Sequence, residues 1–271
     1  MTNASVLVGN ELFPIMEREQ AIRLAFEQIQ STVNKSLIVF VHGRGRHPEK
    51  SRKTIIPYLS GEYNAVVLTF NWHGSFNGGM FGFPRQEAFE SADELRRVIH
   101  SIFMIREELD FGKKIPITLL SHSMGAFVLQ RYSEILSSND EPIPQGLFDQ
   151  VVFSAAAASK KDHSRWLAQF SKIAPTHILV NRKDIMLKRA AIKARSSRLG
   201  RAAIDPSRLA NRARYIDVTQ TGVNHGYFIN GKKSDQNNNQ ALKGFFRSVL
   251  AGKDPDLSDA LTDHPQIFTL R

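Results

Sequence analysis

The sequence predicts an α/β fold, a mostly parallel central sheet with helices on both faces. Three observations predict it. Short apolar, β-branched runs alternate along the chain with longer amphipathic stretches, the order in which strands and their crossover helices follow one another. The longer stretches repeat their apolar residues at helical spacing. The 271 residues, 42% hydrophobic and 23% charged, contain no internal repeat and no low-complexity tract, which suits a large globular unit and excludes wholesale disorder. Residues 1–271 are accordingly expected to form a single domain.

The first helix is expected from about Ile15 to Gln30, where Ala21, Leu24, Ala25 and Ile29 fall at i, i+3, i+4 and i+8. Strands are expected from Leu37 to Val41 and from Ala65 to Asn71. The glycine-rich stretch "HGSFNGGMFGFP", residues 73–84, has unusual aromatic content for a loop and reads either as a pocket lining, with His73, Phe76 and Phe81 as candidate substrate contacts, or as a surface loop whose phenylalanines tuck back on the core. A long helix from about Arg85 to Leu109 carries Phe89, Leu95, Ile99, Ile102 and Phe103 among charged residues, and Gly112 beyond it suits a stop. A strand from Pro116 to Leu120 is next; after Gly125, the residues Val128, Tyr132 and Ile135 share one helical stripe. Strands from Gln150 to Ser154, His177 to Asn181 and Arg214 to Val218 complete the expected sheet. "SDQNNNQ" reads as a polar loop, and the tail "GKDPDLSDALTDHPQ" as irregular.

Charge is unevenly distributed. From Ile185 to Arg214, nine Lys and Arg residues stand against Asp205 alone. Residues 185–214 are read as a basic helical excursion or a lid, whose cationic surface suits an anionic partner such as lipid headgroups. The tract lacks the interleaved aromatics that stack on single strands, so no specific nucleic acid is expected. The absence of cysteine excludes disulfides, thiolate metal sites and cysteine nucleophiles. There is no run of about 18 apolar residues, and the N-terminal stretch lacks the layout of a secretory signal, so a cytoplasmic location is expected. Oligomeric state is not specified by the sequence.

The chemistry centres on "LLSHSMGAF", residues 119–127. A nucleophilic serine on a strand-to-helix turn needs small residues two positions before and after it, because its backbone is strained and strand and helix pass close together. Around Ser123 those positions hold Ser121, in place of the usual glycine, and Gly125. The hydroxyl needs a base, and the base needs a carboxylate to fix its tautomer. In this arrangement the chain order is serine, acid, histidine. Asp184 follows the strand in "THILVNRKD", and His225 lies in the glycine-flanked loop "TGVNHGYF". Asp162 is a rival acid one strand earlier. Asp217 lies within a strand, and His163, His177 and His264 lack such a loop position. For an oxyanion, the expected donors are the N–H of Met124, next after the serine, and that of Arg44 in "FVHGRGR", where Gly43 and Gly45 permit a tight backbone. His42 reads as structural. "GRGRHPEK" lacks the spacing of a phosphate cradle.

With "FVHGRGR", "SHSMG", "NRKD" and "NHGYF" in place, the chain resembles the α/β-hydrolases from about Ser36 to Leu250. More narrowly, "VVLTFNWHGSFNGGMFGFPRQEAFESADELRRVI" and "DIMLKRAAIKARSSRLG" are similar to an uncharacterised bacterial α/β-hydrolase family. The resemblance implies a serine hydrolase with a Ser-His-Asp triad, acting on a small-molecule or lipid ester or thioester, possessing no metal or organic cofactor, and lipase-like if the aromatic loop and basic segment act together. The competing expectation is a non-enzymatic scaffold that binds an acidic partner, anionic lipid or nucleic acid through its basic segment.

Overall fold

The computed structural model describes residues 4–32, 35–44, 49, 51–74, 85–229 and 240–271. Their strands form one ten-stranded sheet. Its centre is β3 (Ser36–Val41), β4 (Ala65–Asn71), β5 (Ile117–His122), β6 (Gln150–Ser154), β7 (Thr176–Val180) and β8 (Ala213–Asp217). In space these run β4-β3-β5-β6-β7-β8, every neighbouring pair parallel. From β3 to β7 every strand residue is buried, the pattern of strands covered on both faces.

The helices are α1 (Arg18–Gln30), α2 (Ile56–Tyr63), α3 (Arg85–Glu90), α4 (Ala92–Glu108), α5 (Gly125–Ser138), α6 (His163–Ser171), α7 (Ile185–Lys193) and α8 (Gln240–Leu250). In one layer α1 packs on α4, α4 on α5 and α5 on α6, while α2 and α8 pack together in the other. The expected stripes face inward: Ala21, Ala25 and Ile29 of α1 are buried, as are Val128 and Tyr132 of α5. At the bottom of the sheet, the hydroxyls of Ser36 and Thr118 donate to the Leu250 and Val249 carbonyls, 2.6 Å each, satisfying acceptors that the end of α8 leaves open.

Four strands depart from the expected organisation. β1 (Ser5–Val8) and β2 (Glu11–Pro14) form a hairpin whose two-residue turn begins at Gly9 with φ +56°, and β1 adds antiparallel to β4. In the tail read as irregular, β9 (Leu261–His264) turns back on β10 (Ile267–Thr269), just beyond that tail, and β10 adds parallel to β8. The helix expected over 85–109 is two helices divided at Ser91. The Ser91 hydroxyl donates to the Glu87 carbonyl at 2.8 Å, a back-bond that bends helices.

The basic segment, residues 185–214, is helical only in part. It is helical over Ile185–Lys193, with a short 3-10 turn at Pro206–Arg208, and its middle returns to the core. Arg198 is 4% exposed and donates to the Ala157 carbonyl at 3.0 Å. The Leu199 and Gly200 N–H groups bond the Ala158 and Ala156 carbonyls at 2.9 Å. A side chain at Gly200 would collide with the backbone of Ala155 and Ala156, so only glycine permits this approach.

Buried His177 on β7 donates from Nε2 to Gln150 Oε1 of β6 at 2.8 Å. Burial, with the Arg214 charge adding to it, pushes its pKa down to about 3. The unfolded chain protonates this imidazole near its ordinary value of about 6.5. The His177 contribution is therefore intact above that pH and is lost as pH falls toward the folded value. Urea midpoints measured from pH 7.5 down to pH 4.5 should fall less steeply for His177→Gln than for the wild type.

Candidate active site

Ser123 occupies the turn between β5 and α5 with φ +53°, a left-handed backbone that a non-glycine residue adopts at a cost of about 1–3 kcal/mol. Its neighbours hold it there. The Ser123 N–H donates to the Ser154 carbonyl at 3.0 Å, and its own carbonyl accepts the Ala157 N–H at 2.9 Å, so the turn is laced to the chain leaving β6. Gly125 lies so close to β3 that a Cβ would enter the Val41 carbonyl oxygen, and one at Gly43 would lie 2.9 Å from Ser123 Cβ. Gly125 is fixed by backbone approach, and Gly43 by the Ser123 and His122 side chains packed against it. The side chain of the turn is 8% exposed, enough to present Oγ at the end of the sheet.

The loops after β7 and β8 bring two further groups to this turn. Ser123 Oγ lies 2.9 Å from His225 Nε2, and His225 Nδ1 lies 2.8 Å from Asp184 Oδ2. Serine hydroxyl, imidazole and carboxylate thus form one unbroken run of hydrogen bonds from three separate loops. The Asp184 carboxylate is almost wholly buried and also accepts the Tyr227 hydroxyl on Oδ2 at 2.8 Å and the Leu187 N–H on Oδ1 at 2.9 Å. Burial pushes this carboxyl up, but the His225 hydrogen bond and charge, with the Leu187 and Tyr227 donors, more than offset it and hold the group below its usual range. Burial and the Asp184 charge push the Tyr227 phenol well above its ordinary value, so it keeps its proton and donates.

His225 is oriented from its backbone as well. His122, buried beside the serine, donates from Nε2 to the His225 carbonyl at 2.9 Å, and the two rings lie 4.8 Å apart. The Asn181 amide donates to the Val223 carbonyl at 2.8 Å and steadies the same loop. Neither His122 nor Tyr227 was singled out in the sequence. Both stand one or two positions from residues that were, in "SHSMG" and "NHGYF".

Other expected residues fall as follows. Met124 directly follows Ser123 as the N-cap of α5, outside the β5 ladder. Arg44 is half-buried in the turn after β3, next to the Gly43 that abuts the serine. His42 is buried, stacked on Trp72 at 5.5 Å, and its carbonyl accepts the Trp72 indole N–H at 2.8 Å. His73 is exposed at the end of β4, whereas Phe76, Phe81 and Gly45 lie outside the described residues. The rival Asp162 is the N-cap residue of α6, while His225 Nδ1 bonds Asp184, and Asp217 accepts the Thr219 N–H and pairs with Arg182 at 3.2 Å. His163 bonds Tyr215 at 2.7 Å. Among the described residues, no group of three His, Asp or Glu side chains is placed to hold a metal ion.

The model of a family described as alpha/beta hydrolase of unknown function (DUF900) matches residues 18–243. The chain belongs to this family. No curated protein matches the chain. Among solved structures, an esterase of Pyrobaculum calidifontis is similar at 13% identity, covering 80% of this chain and 78% of that one with a TM-score of 0.42. A monoacylglycerol lipase of Paleococcus ferrophilus is 19% identical over 80% of this chain and 96% of that one, TM-score 0.41. Carboxyl esterase 2 of the fungus Tuber melanosporum is 16% identical over 72% and 71%, TM-score 0.40. The family match, not these distant likenesses, carries the assignment.

In this alpha/beta hydrolase the serine at the first small position of the turn adds a buried hydroxyl: among the described residues Ser121 Oγ has no hydrogen-bond partner. Ser121→Ala should raise the free energy of urea unfolding by about 1 kcal/mol, because it removes an unsatisfied hydroxyl. Gly125→Ala, which drives a methyl into the β3 backbone, should lower it by about 1–3 kcal/mol or more in the same assay.

Proposed function

We propose that the protein is a serine hydrolase that cleaves carboxylic esters or thioesters through an acyl-enzyme. The observation that carries this reading is the run Asp184–His225–Ser123 on a strained strand-to-helix turn. A serine that is merely structural has no need of a left-handed backbone, an imidazole on its hydroxyl and a buried carboxylate behind that imidazole.

In the proposed reaction His225 Nε2 accepts the Ser123 proton as Oγ attacks the acyl carbon. The buried Asp184 carboxylate holds the Nδ1–H tautomer and stabilises the imidazolium without taking the proton. The N–H groups of Met124 and Arg44 are the proposed donors to the oxyanion, a role worth about 2.7–4 kcal/mol for one donor. His225 then gives its proton to the leaving group. Water, deprotonated by the same imidazole, attacks the acyl-enzyme and releases the acid. His122 and Tyr227 act as positioning residues, one on the His225 backbone and the other on the Asp184 oxygen that faces it. The scheme uses no metal or organic cofactor. His73, the first residue of the aromatic stretch 73–84, is the proposed contact for a small-molecule or lipid substrate.

A fluorophosphonate probe should label the wild type with one adduct by intact mass and leave Ser123→Ala and His225→Ala unlabelled. A well-folded wild type that resists the probe would sink the proposal. On any ester found to be turned over, Asp184→Asn should lower kcat about 10⁴-fold, since an amide imposes the wrong imidazole tautomer.

A further inference from the structure

Helix α7 is a surface element whose outer face does not look like a soluble one. Leu187 is its buried anchor, with Ala190 and Ala191 half-buried beside it. On the opposite side, Ile185 is 60% exposed and Ile192 70%, and Met186 on the flank is 48% exposed. Seven residues apart, the two isoleucines align about two turns from each other along the outermost line of the helix. Among the described residues seven large apolar side chains are classed as exposed, and three of them belong to this one helix.

The cations flank that ridge. By helical position Lys188 falls on one side of the isoleucine line, and Arg189 and Lys193 on the other; all three are exposed. Lys183 before the helix and Arg195 after it are exposed too. No acidic residue lies on the helix, and the Asp184 that precedes it is buried and engaged with His225, Tyr227 and Leu187. Among the described residues, no carboxylate lies within 4 Å of the Lys188, Arg189, Lys193 or Arg195 charges.

We infer that α7 is a docking face for an anionic lipid surface, the Ile185–Ile192 ridge entering the acyl boundary while Lys188, Arg189 and Lys193 meet the headgroups. The two chemistries on one face select this occupant. A nucleic acid offers the cations its phosphates but gives the isoleucines nothing apolar to enter. A second copy of the chain, related by a two-fold axis, would set these cations against their own equivalents. A lipid interface accepts apolar ridge and flanking charge together. The inference goes beyond the proposed hydrolysis and does not depend on it.

The test is co-sedimentation of the purified full chain with large vesicles of phosphatidylcholine alone and of phosphatidylcholine mixed with phosphatidylglycerol, with Ser123→Ala run in parallel. Wild type and Ser123→Ala should both bind the mixed vesicles, release as salt is raised, and bind neutral vesicles at least about tenfold more weakly. Ile185→Ser/Ile192→Ser should cut binding to the mixed vesicles about tenfold or more with near-UV circular dichroism unchanged, since neither side chain is packed. Lys188→Gln/Arg189→Gln/Lys193→Gln should remove the salt dependence. Wild type left in the supernatant, or binding that survives the isoleucine changes, overturns the inference. So does a dimer, seen by analytical ultracentrifugation, that the isoleucine changes dissociate, or retention by a DNA duplex where vesicles are ignored.

Discussion

The left-handed backbone of Ser123 is the constraint around which the C-terminal edge of the sheet is arranged. A turn this tight survives only if three neighbouring strand ends stay where they are. β3 supplies the backbone against which Gly125 lies, β6 and the chain leaving it supply the carbonyl and N–H that bracket the serine, and β5 delivers it. Parallel strands buried on both faces give that rigidity, since no strand end can move without opening the core on two sides. Local strain is thus stored where the global structure is stiffest.

The polar groups at this edge obey the same economy. Asp184 is removed from water, yet each of its oxygens has a donor, the Leu187 N–H on one and the Tyr227 hydroxyl and His225 ring N–H on the other. His122 gives its proton to a carbonyl rather than competing for the serine hydroxyl. Such a network is fully committed: each donor has a defined acceptor, so the imidazole is presented in one orientation and one tautomer before any ligand arrives.

Much of this was legible in the sequence, and the exceptions have physical reasons. The six central strands are short, apolar and flanked by turns, and their expected limits agree with the observed ones within two residues. Ser123, Asp184 and His225 were singled out because each occupies the loop after such a strand. The outer strands β1, β2, β9 and β10 run only three or four residues each, too short to show a periodic pattern, although Gly9-Asn10 is a recognisable hairpin turn. The break at Ser91 is made by one hydroxyl bonding backward within a continuous helical pattern. Composition does not resolve residues 185–214 into parts: the tract reads as uniformly cationic, whereas Arg198 buries its guanidinium on a carbonyl and Gly200 abuts the turn after β6. Only tertiary contact distinguishes such an arginine from its exposed neighbours.

One carboxylate joins the interior to the surface. Asp184 starts α7 through Oδ1 and steadies the imidazole through Oδ2, so the first turn of the outer helix and the orientation of His225 share a single side chain. A glutamate there, one methylene longer, cannot keep both oxygens in place, and an insertion or deletion between Asp184 and Leu187 would unseat the ring as surely as it would shift the helix. The outward positions 185, 188, 189, 192 and 193 carry no such obligation. Within this architecture the surface can be rewritten, residue by residue, for a different environment while the hydrogen-bond relay beneath it is left untouched.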